Sequence, residues 1–104
     1  MKYLITARPG TTPIPMQQGA QLLQASKGWM QGKIADGTID FIYNFFGGGG
    51  FVVSNADSNE EVLANLLEYP LYAFFTWEVT PLLDFDVSLD QYVAFYENMA
   101  SMMD

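Results

Sequence analysis

The chain has 104 residues and a net charge of −8, twelve acidic side chains against four basic ones, with neither cysteine nor histidine. Disulfides, thiolate or imidazole metal sites and Ser-His-Asp triads are therefore excluded. Nucleic acid and anionic membranes are disfavoured as partners, because both need clustered Lys or Arg.

The length fits one domain, residues 1–104, and a chain of this size has a marginal core. Eight Phe, six Tyr and two Trp exceed what such a core needs, which suggests a homodimer interface or an apolar pocket for a small molecule. The apolar run in MKYLITARPG is too short for a signal peptide, and no stretch approaches a membrane span, so a cytoplasmic location is expected. Without nucleotide or metal motifs, the expected chemistry is cofactor-independent and metal-free, carried by carboxylates, tyrosines, Lys, Arg and water.

In chain order, Lys2 to Ala7 reads as a strand closed by Arg8-Pro9-Gly10. Pro13 and Pro15 stand where a helix can begin. From Met16 onward Ala20, Leu23, Met30 and Ile34 share a face, with Trp29 at its edge, and Gly28 and Gly32 weaken the second half, with room for a bend. After the Asp36-Gly37 turn, Thr38 to Phe46 reads as a long aromatic strand. Gly47–Gly50 links it to a strand at Phe51-Val52-Val53, most simply as a hairpin.

Ser58 stands three residues before Glu61, the spacing of a capping box, and Val62, Leu63, Leu66 and Leu67 form an apolar helical stripe. Pro70 stops that helix, and Phe74 to Val79 resumes an extended pattern. Ser88 and Gln91 offer a second capping box, with Val87 and Tyr92 as a hydrophobic staple. Leu89, Tyr92, Val93, Tyr96, Met99, Ala100 and Met103 keep helical spacing beyond it. Residues 82–104 thus form a C-terminal extension helix that docks on its own domain or on a partner subunit. The order β-α-β-β-α-β is that of a ferredoxin-like α+β sandwich with an extra C-terminal helix.

The segment NADSNEEVLANLLEYPLYAFFTWEV, preceded by a Gly-rich turn and FVV, resembles the muconolactone isomerase-like family of the dimeric α+β barrel superfamily. Asp57-Ser58-x-x-Glu61, Pro70-Leu71-Tyr72 and Glu78-Val79 carry the likeness, which runs from Gly47 to about Leu83. It implies a homodimer formed through sheet faces, or a higher homo-oligomer, and an isomerase that moves a proton on a small organic acid, lactone or polyketide-like ring. A non-catalytic ligand-binding or assembly module and a cofactor-free monooxygenase are the alternatives on the same scaffold.

Strand alternation places Tyr3, Ile5 and Ala7 on one face of the first strand and Lys2, Leu4, Thr6 and Arg8 on the other. It sets Ile39, Phe41, Tyr43 and Phe45 against Asp40, Ile42, Asn44 and Phe46 on the second. On the last it sets Phe75, Trp77 and Val79 against Phe74, Thr76, Glu78 and Thr80. The apolar faces are expected under the helices. Glu78 matches the family motif as a catalytic carboxylate, with an interface ion pair to Lys2 or Arg8 as its structural alternative, and Asp40 is a second candidate. Tyr43, Tyr72 and Trp77 are candidates to line a substrate cavity, against ordinary core packing. Gly47–Gly50 lacks the residues of a phosphate loop, and Asp84-x-Asp86-x-Ser88-x-Asp90 lacks the Gly and Glu of a calcium loop.

Overall fold

The computed structural model describes residues 1–103. In order they form β1 (Lys2–Pro9), α1 (Gly19–Ala35), β2 (Ile39–Asn44), β3 (Gly50–Asn55), α2 (Asn59–Leu67), a 3-10 turn (Tyr72–Phe74), β4 (Phe75–Leu82) and α3 (Phe85–Met103). The strands make one antiparallel sheet in the order β2-β3-β1-β4, the ferredoxin-like arrangement expected. The C-terminal helix is present as well.

One face of the sheet is covered and the other is open. Tyr3 and Ile5 on β1, Ile39 on β2 and Val52 on β3 pack with Val62 and Leu66 of α2 to form the buried core. Each such side chain contributes roughly 1.5–3 kcal/mol by leaving water. The phenol of Tyr3, fully buried, donates to Asn59 Oδ1 at 3.0 Å and so ties β1 to the first turn of α2. On the open face Leu4, Thr6 and Arg8 stand opposite Thr80, Glu78 and Thr76 of β4.

Two strand details depart from the alternation read in the sequence. Strand β2 ends at Asn44 rather than Phe46, because the turn starts at Phe45, whose N–H donates to Gly49 O at 2.9 Å. A bulge between Ile39 and Phe41 also shifts the pairing: Ile39 faces Ser54, but Phe41 faces Val53 and Tyr43 faces Phe51. The extra residue sends Phe41 and Tyr43 to the open face and turns Ile42 under the helices, opposite to strict alternation. In the hairpin Gly49 has φ +74°, and a Cβ there would lie 2.1 Å from Ala7 O, so the turn requires glycine.

The helices start where backbone donors find partners. Helix α1 begins at Gly19, later than the expected Met16, after a turn in which Gln18 N–H donates to Pro15 O at 3.0 Å. Gly28 and Gly32 lie within one unbroken helix. At α2, Ser58 Oγ accepts from Glu61 N–H at 3.1 Å as expected, while Glu61 reaches back to Asp57 N–H at 2.9 Å rather than to Ser58. The second capping box does not form. Asp84 caps α3 by accepting from Val87 N–H at 2.9 Å, and Ser88 sits inside the helix with its Oγ donating to Phe85 O. Asp is as good an N-cap as Ser, and the earlier start adds a turn.

Helix α3 does not dock on its own domain. Ser88 is its one buried residue, and the helix projects from the sheet, giving the molecule extents of 69 × 29 × 24 Å.

Candidate functional site

A cavity of about 580 Å³ lies between α1 and the covered face of the sheet. Helix α1 contributes Leu23, Ser26, Met30 and Ile34, a stripe at intervals of three and four that faces the sheet. Ile5, Ile39, Ile42 and Val52 form the floor, and Val62 and Leu66 of α2 close one side. Leu23 and Phe46 are exposed lining residues and mark the mouth, and Tyr43 borders it at the edge strand β2 although its ring lies toward the open face.

Polar groups are few, and one pair stands out among them. Ser26 Oγ and Tyr69 Oη lie 2.6 Å apart, and Ser26 is 8% exposed although it is the central residue of a helix face. Burial pushes the Tyr69 phenol above the usual tyrosine range, partly offset by the hydrogen bond to Ser26. The phenol therefore stays protonated across neutral pH. Two hydroxyl hydrogens serve one mutual hydrogen bond, which leaves the second for an oxygen atom in the cavity.

Aromatic rings hold Tyr69 in place. Its ring lies 5.2 Å from Trp29 and 5.7 Å, edge-on, from Trp77. Trp77 in turn stacks on Tyr72 at 5.9 Å and 13° and donates its indole N–H to Tyr72 O at 3.0 Å. These contacts fix three rings at the back of the cavity at low entropic cost, since each ring has few torsions to lose.

The candidates read from the sequence are divided between the two faces of the sheet. Trp77 lines the cavity. Tyr72 supports Trp77 from behind and is not among the lining residues. Tyr43 borders the mouth, but its ring packs on Phe51 at 5.8 Å and it stays 64% exposed. Glu78 is exposed on the open face, opposite Thr6, and among the described residues it has no ion pair with Lys2 or Arg8. Asp40 takes Lys2 instead and accepts from Asn55 Nδ2 at 3.0 Å. The Lys2 hydrogen bond, aided by Asn55, holds the Asp40 carboxyl below the usual carboxylate range. Arg8 lies 5.1 Å from the ring of Phe45. No Asp or Glu lines the cavity among the described residues.

Muconolactone isomerase superposes with a TM-score of 0.70 at 22% identity, covering 81% of this chain and 90% of that one. The chain has the fold of muconolactone isomerase. The same fold relates it to 5-chloro-2-hydroxyhydroquinone dehydrochlorinase (TftG) from Burkholderia phenoliruptrix AC1100, solved in complex with 2,5-dihydroxybenzoquinone. There the TM-score is 0.65 at 19% identity, over 80% of this chain and 94% of that one. No protein-family model and no curated protein matches the sequence.

Within the isomerase fold, Ser26 and Tyr69 are the residues that sequence reasoning missed. Ser26 interrupts the apolar stripe between Leu23 and Met30, and a buried polar residue on such a stripe needs a partner. Tyr69 directly precedes the Pro70-Leu71-Tyr72 motif, which carries a second tyrosine of its own. Among the described residues no three His, Cys, Asp or Glu side chains gather into a metal-binding group, and no helix is long and apolar enough to cross a membrane.

Proposed function

We propose that this protein is a small-molecule enzyme that takes a partly apolar ring bearing a carbonyl oxygen into the cavity under α1. The candidate substrates are an organic acid, a lactone or a polyketide-like ring, and the reaction is a cofactor-independent isomerisation by proton transfer. The observation that carries this reading is the Ser26–Tyr69 hydroxyl pair inside an otherwise apolar, aromatic cavity. A protonated phenol in an apolar cavity is a hydrogen-bond donor for a carbonyl, and its bond strengthens as the oxygen gains enolate charge. That lowers the barrier to removing the adjacent proton. The two solved enzymes of this fold named above, an isomerase and a dehydrochlorinase, support small-ring chemistry.

The proton acceptor in this reading is water entering through the mouth of the cavity, because no carboxylate of the described residues lines it. Glu78 and Asp40, on the open face, are assigned to a sheet-to-sheet homodimer interface along with the exposed ring of Phe41. The lining's lack of carboxylates favours one second reading, a binding module that holds the same ring without converting it. The test is to incubate the protein with muconolactone and related lactones and follow deuterium exchange from solvent into the ring. Exchange that is lost in Tyr69→Phe supports catalysis. Binding with no exchange supports the module, and neither binding nor exchange refutes both readings.

A further inference from the structure

Helix α3 (Phe85–Met103) is long, apolar and unaccompanied. Ten of its side chains are exposed large hydrophobics, from Met99 at 42% to Met103 at 84%. A helix of this length reaches about 28 Å, and in proteins most helical stability comes from packing of an apolar face, which here has no partner within the chain. The exposed residues follow a pattern. Phe85, Leu89, Tyr92, Tyr96, Met99 and Met103 alternate steps of four and three, which is the core seam of a heptad repeat. Val93, Phe95, Ala100 and Met102 flank the seam and widen it. Asp90, Gln91, Glu97, Asn98 and Ser101 fall on the opposite side, together with Val87 and Ala94.

We propose that α3 pairs with α3 of a second copy of this chain, antiparallel and two-fold symmetric, in a coiled-coil contact. A heptad seam matches another helix of the same period better than it matches a sheet. The seam is also self-complementary when reversed about Ala94. Tyr92 then meets the partner's Tyr96, Leu89 meets the partner's Met99, and Phe85 meets the partner's Met103. Charge selects the same orientation. Asp84, Asp86 and Asp90 crowd the first half of the helix in a chain of net charge −8, and a parallel pair sets these halves side by side. The antiparallel pair separates them and opposes the helix dipoles. At the exposures given, the apolar side chains present on the order of 1,000 Å² per copy, against about 800 Å² per partner in a stable interface. This contact is separate from the open sheet face and does not depend on the reaction proposed above.

Disulfide trapping in the full chain, which has no native cysteine, tests the pairing. Leu89→Cys/Met99→Cys should oxidise mostly to covalent dimer, since ten residues of helix, about 15 Å, prevent closure within one chain. Gln91→Cys/Asn98→Cys, on the outer side, should give at least tenfold less. In sedimentation, Tyr92→Glu/Tyr96→Glu should have half the mass of the unmodified protein, with the sheet intact by circular dichroism. An unchanged mass in that variant, or equal trapping in the two cysteine pairs, overturns the proposal. Efficient trapping of Leu89→Cys alone overturns the antiparallel orientation.

Discussion

The hydroxyls of Ser26 and Tyr69 approach to 2.6 Å across 43 positions of sequence, joining the middle of α1 to the segment that leads into β4. The bond fastens the roof of the cavity to its back wall, where Tyr69 stands between Trp29 and Trp77. Tyr69→Phe keeps the ring and leaves Ser26 without its partner. Unfolding free energy should fall by about 1–2 kcal/mol, the usual consequence of an unpaired buried hydroxyl. Affinity for a carbonyl-bearing ring should fall about tenfold, measured by calorimetry beside the denaturant melt.

Proton linkage makes a second claim. The folded-state pKa of Tyr69 is raised above its unfolded value, so its contribution is complete below the unfolded pKa, near 10. It is lost as pH rises through the folded value. Asp40 behaves oppositely: its folded pKa is lowered, and its contribution disappears as pH falls below the ordinary carboxylate range. Melting temperatures recorded against pH should decline at the alkaline end in the wild type and less steeply in Tyr69→Phe. Asp40→Asn should flatten the acid end.

Two glycines should respond with opposite signs. Gly49→Ala forces a side chain into φ +74° and against Ala7 O, with an expected cost of at least about 2 kcal/mol. Gly28→Ala adds a methyl group in open space within α1 and should stabilise by about 0.5–1 kcal/mol. Chemical denaturation of both variants checks the hairpin and the unbroken helix together.

The start of α3 separates two capping residues. Asp84→Ala removes the acceptor of Val87 N–H and should cost the helix about 1 kcal/mol. Ser88→Ala removes a bond within the helix and should not fray its first turn. Hydrogen exchange at Phe85, Asp86 and Val87 reads the difference.

Much of the fold was legible because local chemistry and tertiary packing agree. Ser58 caps α2, Pro70 ends the helical stretch, and Tyr3 and Ile5 alternate onto the covered face as their pattern requires. The bulge after Ile39 was not legible, since an extra residue in a strand of apolar and aromatic side chains leaves no mark in composition. It moved Tyr43 and Phe41 to the other face. The site was half legible for a related reason. Trp77 lies on a regular strand and was placed by alternation, whereas Ser26 and Tyr69 meet through a long-range contact that neither segment encodes alone. Glu78 matched a motif, but a motif does not say which face of the sheet carries the cavity.

The most direct measurement is an amide and indole NMR titration with 2,5-dihydroxybenzoquinone and with muconolactone. A ring held in the cavity gives saturable shifts at Ser26, Tyr69 and the indole N–H groups of Trp29 and Trp77, weakened about tenfold in affinity by Tyr69→Phe. Shifts confined to the open face, at Thr6, Glu78 and Thr80, with Ser26 and Tyr69 unmoved, would contradict it.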